Sequence, residues 1–167
     1  TGRTVEFGAN AAVYGGTYGN LTITGAHTLA NDFSVEGEAT FTGVQTLGTG
    51  VAIAFNGTTN ADANADTGND LATITGTDGS VSYAATANVY GGSYGKLIIN
   101  GEHTLVNDFS VTDSIFDADQ TVTGAKLSFS GTTNAASGVK LIADNNSTIT
   151  YNGTEVYGGT YGNLILN

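Results

Sequence analysis

Cysteine, proline, methionine and tryptophan are all absent from this 167-residue chain. Without cysteine there is no disulfide, no thiolate-bound zinc, no iron–sulfur cluster and no thiol nucleophile. Without proline no strand has to give up a backbone N–H, so every ladder position keeps its donor. The missing methionine leads us to expect a processed product or a fragment. Positive charge is scarce as well: four Lys and Arg face fifteen Asp and Glu, a formal net charge of −11. Phosphate backbones are held by clustered Lys and Arg, so nucleic acid is not an expected partner. No apolar run approaches the roughly 18 residues of a membrane-spanning helix, and no membrane insertion is expected. Yet 40% of the residues are hydrophobic and only 11% are charged. That is too apolar for an acidic disordered tail, and the length suits about one domain.

What the chain does contain is a repeat. Residues 13–37 read VYGGTYGNLTITGAHTLANDFSVEG, and residues 89–113 read VYGGSYGKLIINGEHTLVNDFSVTD, identical at 17 of 25 positions. A third copy, VYGGTYGNLILN, starts at Val156. FNGTTN at 55–60 returns as FSGTTN at 129–134, and TVEF at 4–7 corresponds to SVSY at 80–83 and TITY at 148–151. One continuous domain is therefore expected, with super-repeats at about 4–79 and 80–147 and a partial one at 148–167. The copies of the Val-Tyr-Gly-Gly motif lie 89 − 13 = 76 and 156 − 89 = 67 residues apart, and most of the difference falls in the stretch NADANADTGND at 60–70.

The aromatic residues follow the repeat. Tyr14, Tyr90 and Tyr157 are equivalent, as are Tyr18, Tyr94 and Tyr161, and Phe7, Tyr83 and Tyr151. Phe33 pairs with Phe109, Phe55 with Phe129 and, with one residue of slippage, Phe41 with Phe116. Residues used this way are expected to be core or stacking residues of a repeating β structure. A sugar-binding aromatic platform is the sharper alternative.

Period-two alternation predicts the secondary structure. Leu21-Thr22-Ile23-Thr24, residues 51–55, Val81-Ser82-Tyr83 and Leu127-Ser128-Phe129 alternate apolar with polar or small residues, as half-buried strands do. Gly and Asn punctuate them as turns, and no sustained helical period occurs. The expected fold is all-β: a right-handed parallel β-helix with three or four coils in each super-repeat, the length difference being a loop insertion on one face. Asn and Thr in the turns are expected to stack into ladders between coils. Tandem β-sandwich domains are the alternative.

The segments YGNLTITGAHTLANDFSVEGEATFTG (18–43) and YGKLIINGEHTLVNDFSVTD (94–113) resemble the repeats of large secreted bacterial surface proteins, adhesins and autotransporter-like passengers built as parallel β-helices. The resemblance rests on Tyr18, Asn20, Leu21, Gly25, Thr28, Leu29, Val35 and Gly37. The second copy departs from it at Lys96 and Asp113. It implies an extracellular or cell-surface setting and a stalk, adhesive or filament role, and it brings no catalytic residues.

Motifs with chemical potential are few. His27 and His103 are equivalent, and a separation of three or four coils prevents them from sharing a metal ion. Each has a carboxylate nearby in sequence, Asp32 or Asp108. Ser34, His27 and Asp32 supply the residue types of a triad without the context of a nucleophile elbow. Glu36 and Glu38 would lie side by side on a strand rather than flanking a substrate, and the second unit has Thr112 and Ser114 there. Enzymatic activity is not expected. Asp62, Asn64, Asp66 and Asp70 alternate like the start of a calcium loop and are the candidate metal ligands; Thr67 stands where such a loop has Gly, and no closing Glu follows. No other cofactor is indicated. Sequons occur at Asn20, Asn56, Asn145, Asn146 and Asn152.

The expected function is structural: a segment of an extracellular fibre, stalk or self-assembling filament, joined end to end with further copies or continuing a longer array. An adhesin that recognises glycans or a cell surface is the alternative.

Overall fold

The structure, a computed structural model, describes residues 2–61 and 72–167. Every registered strand pair among them is parallel. Sandwiches are assembled from antiparallel hairpins, so this pairing excludes them. The chain is a parallel β-solenoid of about eight turns. Among the described residues the one helical element is a 3₁₀ turn, Ala135–Ser137.

Each coil has three faces. Face one carries Thr4–Phe7, Asn20–Ile23, Glu38–Phe41 and Thr58–Thr59, then His103–Leu105, Gln120–Val122, Lys140–Ala143 and Gly158–Thr160. Residues 86–89 link the two series: Thr86 Oγ1 donates to the Gly57 carbonyl (3.0 Å), and Thr59 Oγ1 donates to that of Asn88 (2.5 Å). Face two carries Gly16–Tyr18, Phe33–Val35 and Ala52–Phe55, then the second halves of Thr73–Tyr83, Gly91–Ile99 and Phe109–Phe116. Face three carries His27–Leu29, Val44–Leu47 and the first halves of those three long strands. It ends with Lys126–Phe129, Thr148–Tyr151 and Asn163–Leu166. Along the chain the faces are visited in the order one, three, two.

The repeat and the coil differ in period. Gly16–Tyr18 lies on face two, its equivalent within Gly91–Ile99 on face three, and Gly158–Thr160 on face one. Thr4–Phe7 and its equivalents at 80–83 and 148–151 step likewise through faces one, two and three. Counting face by face, each unit crosses eleven positions; over three faces that is 11/3, or three and two-thirds coils. This falls within the expected three or four coils. It also rotates each successive unit by one face while advancing it about 18 Å, at roughly 4.8 Å per coil.

Alternation places the apolar residues inside. Leu21, Ile23, Leu97, Ile99, Leu127 and Ile149 are buried while their polar neighbours face outwards. A file of eleven rings runs the length of the interior: Phe7, Tyr18, Phe33, Phe41, Phe55, Tyr83, Tyr94, Phe109, Phe129, Tyr151 and Tyr161. Consecutive centroids are 5.0–6.5 Å apart, and most pairs meet edge to face, the favourable quadrupole arrangement.

The corners hold together differently from the expected Asn and Thr ladders. Asn20 Oδ1 accepts the Glu38 N–H (2.9 Å), Asp32 Oδ1 that of Ala52 (2.8 Å), Asp108 Oδ1 that of Lys126 (2.7 Å) and Asp113 Oδ1 that of Thr132 (3.0 Å). At a corner the backbone leaves ladder geometry, and a side chain from the preceding coil satisfies the N–H that would otherwise lack a partner. Corner glycines allow coils to approach closely. A Cβ at Gly57 would lie 1.9 Å from the Gly37 carbonyl oxygen, and one at Gly37 would lie 2.5 Å from that of Gly19.

Candidate functional site

The side chains with chemical potential are spent on the scaffold. Ser34 Oγ donates to Thr17 Oγ1 (3.2 Å), His27 Nε2 lies 3.1 Å from the Thr24 carbonyl oxygen, and Asp32 accepts the Ala52 N–H. His103 Nε2 lies 3.2 Å from the Asn100 carbonyl oxygen. Neither histidine is hydrogen-bonded to its neighbouring Asp32 or Asp108, because those carboxylates serve backbone donors of the next coil. His27 sits on face three and His103 on face one. Glu36 accepts a hydrogen bond from Asn56 Nδ2 (2.8 Å), while Asn20 caps the Glu38 backbone. The candidate calcium ligands Asp62, Asn64, Asp66 and Asp70 lie outside the described residues. Among the described residues no group of three or more His, Asp and Glu side chains is placed to hold a metal.

What recurs is a tyrosine lock. The Tyr90 ring is 1% exposed and lies flat on Phe41, 5.6 Å away at an interplanar angle of 4°. Its hydroxyl lies 2.5 Å from Asn60 Oδ1 and 3.2 Å from the Ala39 carbonyl oxygen. Asn60 is itself fixed, because its carboxamide accepts from the Phe41 N–H and donates to the Phe41 carbonyl, each at 2.9 Å. The next copy repeats every part. Tyr157, also 1% exposed, stacks on Phe116 at 5.1 Å and 14°. Its hydroxyl lies 2.5 Å from Asn134 Oδ1, and Asn134 pairs with both backbone groups of Phe116. In each lock the tyrosine of one unit closes on the Phe and Asn of the unit before it.

A second tyrosine holds the turn. The Tyr94 hydroxyl donates to the Tyr90 carbonyl (2.5 Å) and meets the Tyr83 hydroxyl (3.0 Å). Tyr161 repeats this with the Tyr157 carbonyl and the Tyr151 hydroxyl. Burial pushes the phenols of Tyr83, Tyr90, Tyr94 and Tyr151 above their ordinary value, and adjacent phenols add to the rise at Tyr83, Tyr90 and Tyr151. At Tyr94 the bond to Tyr83 works the other way. Burial also raises Tyr157 and Tyr161.

Sequence equivalence places Tyr14 with Tyr90 and Tyr157, but the structure corrects its role: the Tyr14 ring is 70% exposed. Its turn is built like the others, with the Tyr18 hydroxyl donating to the Tyr14 carbonyl. Among the described residues no Phe–Asn pair lies against it, and the ring tilts over Phe7 instead. Of the rings a sugar platform would use, Tyr94 is buried and Tyr18 packs between Phe7 and Phe33, while Tyr14 stays open. At the other end Leu164 and Leu166 are 41% and 62% exposed, whereas their equivalents Leu97, Ile99, Leu21 and Ile23 are fully buried. Among the described residues, Thr4–Phe7 and Asn163–Leu166 each pair with a strand on one side only.

Phe33, Phe109, Phe55 and Phe129 are buried in the ring file, and Tyr161 is half-buried against the core. Sequence reasoning missed Asn60 and Asn134, although both end the repeated FNGTTN and FSGTTN motifs. It also missed Gln45 and Gln120, fully buried at equivalent strand positions, whose Nε2 atoms donate to the carbonyls of Gly25 (2.8 Å) and Gly101 (2.9 Å). No family model matches the chain, and comparison with curated proteins and with solved structures finds no match either.

Proposed function

We propose that this chain is a non-catalytic structural segment of an extracellular surface fibre, stalk or self-assembling filament, whose ends continue into further coils. The observation that carries the reading is the eleven-position unit. Because successive units turn by one face, no side of the rod collects the same residue from every copy. A binding surface made by repetition would need that. What the copies do reproduce is the interior ring file, the hydrogen bonds that close the corners and, at Tyr90 and Tyr157, the tyrosine lock. A repeat that maintains its inside and rotates its outside is suited to building length, since each coil rests only on its neighbours. The eight or so coils make a rod about 40 Å long, and its open strand edges accept further strands. A charge of −11 with little positive charge keeps such rods apart laterally. The partner at the ends is either another copy or more of the same array.

Electron microscopy of the native material tests this. Rods or filaments with a coil repeat of about 4.8 Å along the axis are expected. Discrete compact particles that never join would overturn it. Light scattering on the purified chain separates the two end partners: growth in mass with concentration points to other copies, and a constant monomer mass points to a longer array.

A further inference from the structure

We propose that Asn56 is a site of spontaneous modification, at which the Gly57 backbone nitrogen attacks the Asn56 carboxamide and converts the residue to aspartate or isoaspartate. The site lies at an interior corner of the solenoid, between Ala52–Phe55 and Thr58–Thr59.

The chain has three Asn-Gly pairs, Asn56-Gly57, Asn100-Gly101 and Asn152-Gly153. In each, the attacking nitrogen belongs to a residue with no Cβ to shield it. The structure separates the pairs by what their atoms are bonded to. The Gly101 N–H donates to Asp117 Oδ1 (2.5 Å), and the Gly153 N–H donates to the Asn167 carbonyl (3.1 Å). A nitrogen held in such a bond must give it up before it can attack. At the first pair, the Asn56 N–H donates to the Val35 carbonyl (2.9 Å) and the Thr58 N–H to that of Gly37 (3.0 Å). Between them, the Gly57 N–H has no hydrogen-bond acceptor among the described residues. In the second unit the equivalent Gly131 N–H donates to the Thr112 carbonyl (2.9 Å), and the residue before it is Ser130, which has no carboxamide.

The carboxamides differ in the same direction. Asn152 is half-buried and bonded at both ends: its Nδ2 donates to Ser128 Oγ (3.1 Å), and its Oδ1 accepts from Asn167 Nδ2 (2.8 Å). Asn56 is exposed, and its Nδ2 donates to Glu36 Oε1 (2.8 Å). Its Cγ is open to water and adjoins an uncommitted nucleophile on the next residue, so the reaction is intramolecular from the start.

The atoms balance without oxidant or reductant. The Gly57 nitrogen forms a bond to Asn56 Cγ and releases its proton. The Cγ–Nδ2 bond breaks, and the amide nitrogen takes up that proton by way of water and leaves as ammonia. Water then opens the cyclic imide. Opening at Cγ gives aspartate, and opening at the backbone carbonyl gives isoaspartate, with the chain running through Cγ. Both products disturb the corner. Aspartate sets a second carboxylate where Glu36 now receives a donor, and like charges repel. Isoaspartate lengthens the backbone beside Gly57, where even an added Cβ would meet the Gly37 carbonyl oxygen at 1.9 Å. The reaction therefore loosens the contact between two neighbouring coils as the protein ages.

Ageing the purified folded chain in warm, mildly alkaline buffer and mapping its peptides by chromatography and mass spectrometry tests this. Conversion is expected to be several-fold faster at Asn56 than at Asn100 or Asn152. In concentrated urea the rates at these positions are expected to converge, because unfolding removes the hydrogen bonds that distinguish them. Asn56→Gln keeps a carboxamide but needs a larger ring, and it is expected to abolish the fast conversion. Asn100 or Asn152 reacting as fast as Asn56 in the folded chain would overturn the assignment, and so would an Asn56 that stays intact while the folded chain ages. Asn56→Asp is expected to melt below its parent; equal stability would overturn the weakening of the corner.

Discussion

Tyr14→Ala and Tyr90→Ala make the same chemical change in the same sequence motif, and the structure sets them far apart. Tyr90 is 1% exposed, flat against Phe41 and hydrogen-bonded to Asn60. Removing a buried aromatic ring from a core that only partly collapses costs about 3–5 kcal/mol. The lost hydroxyl adds little to that figure, because Asn60 Oδ1 still accepts the Phe41 N–H; Tyr90→Phe alone is expected to cost about 0.5–1.5 kcal/mol. Tyr14 is 70% exposed and only tilts over Phe7, so its replacement should stay within about 0.5 kcal/mol. For a chain of this size each kcal/mol shifts the melting temperature by about 2–4 °C, so Tyr90→Ala should melt at least ~6 °C lower while Tyr14→Ala melts with the parent. Thermal and urea melts followed by circular dichroism at fixed protein concentration provide the measurement. A Tyr14→Ala variant as destabilised as Tyr90→Ala would refute the lock, as would a Tyr90→Ala variant losing under about 1 kcal/mol.

Three further outcomes follow from the same packing. The buried phenols have folded-state pKa values above the ordinary value of 10.0, chiefly through desolvation. Their stabilising contribution is therefore complete below the unfolded value and is lost as pH rises past it toward the folded values. An alkaline titration should show tyrosinate absorbance from these rings appearing together with loss of the β signal; full ionisation with the fold intact would contradict their burial. Gly57→Ala should destabilise by about 1–3 kcal/mol, since its Cβ would meet the Gly37 carbonyl oxygen at 1.9 Å, and a neutral result in a urea melt would count against the close corner. Asn134→Ala leaves both the Phe116 N–H and the Phe116 carbonyl without their side-chain partner. It should cost about 1–3 kcal/mol for each group left unpaired, and hydrogen exchange at the Phe116 amide should accelerate.

Much of the architecture was readable beforehand. Alternation at Leu21-Thr22-Ile23 and Leu127-Ser128-Phe129 already separates inside from outside, because successive Cβ atoms of a strand point to opposite faces. The aromatic equivalences marked these rings as core or stacking residues of a repeat; that they line up in one file, with Phe55 over Tyr83 and Phe129 over Tyr151, only the structure shows. Asn60 and Asn134 were visible as repeated letters, but their role was not, since each braces a phenylalanine eighteen or nineteen residues earlier in the adjoining coil. The repeat equates Tyr14 with Tyr90 and Tyr157 as a stacking residue. Its local turn does match theirs, but its partner pair would have to come from a coil beneath it.

By itself, the sequence determined what is local: the strand character, the inward set of residues, many of the corner glycines and a unit of about seventy residues. Those follow from backbone sterics and period-two alternation, which act over a few residues. Only the tertiary structure decided which way each unit faces and which equivalent residues end up buried. Facing depends on counting corners along the whole chain, and eleven positions do not divide evenly among three faces, so each copy is turned from the last. Burial depends on whether a neighbouring coil is present, and so three equivalent tyrosines became two buried locks and one open ring.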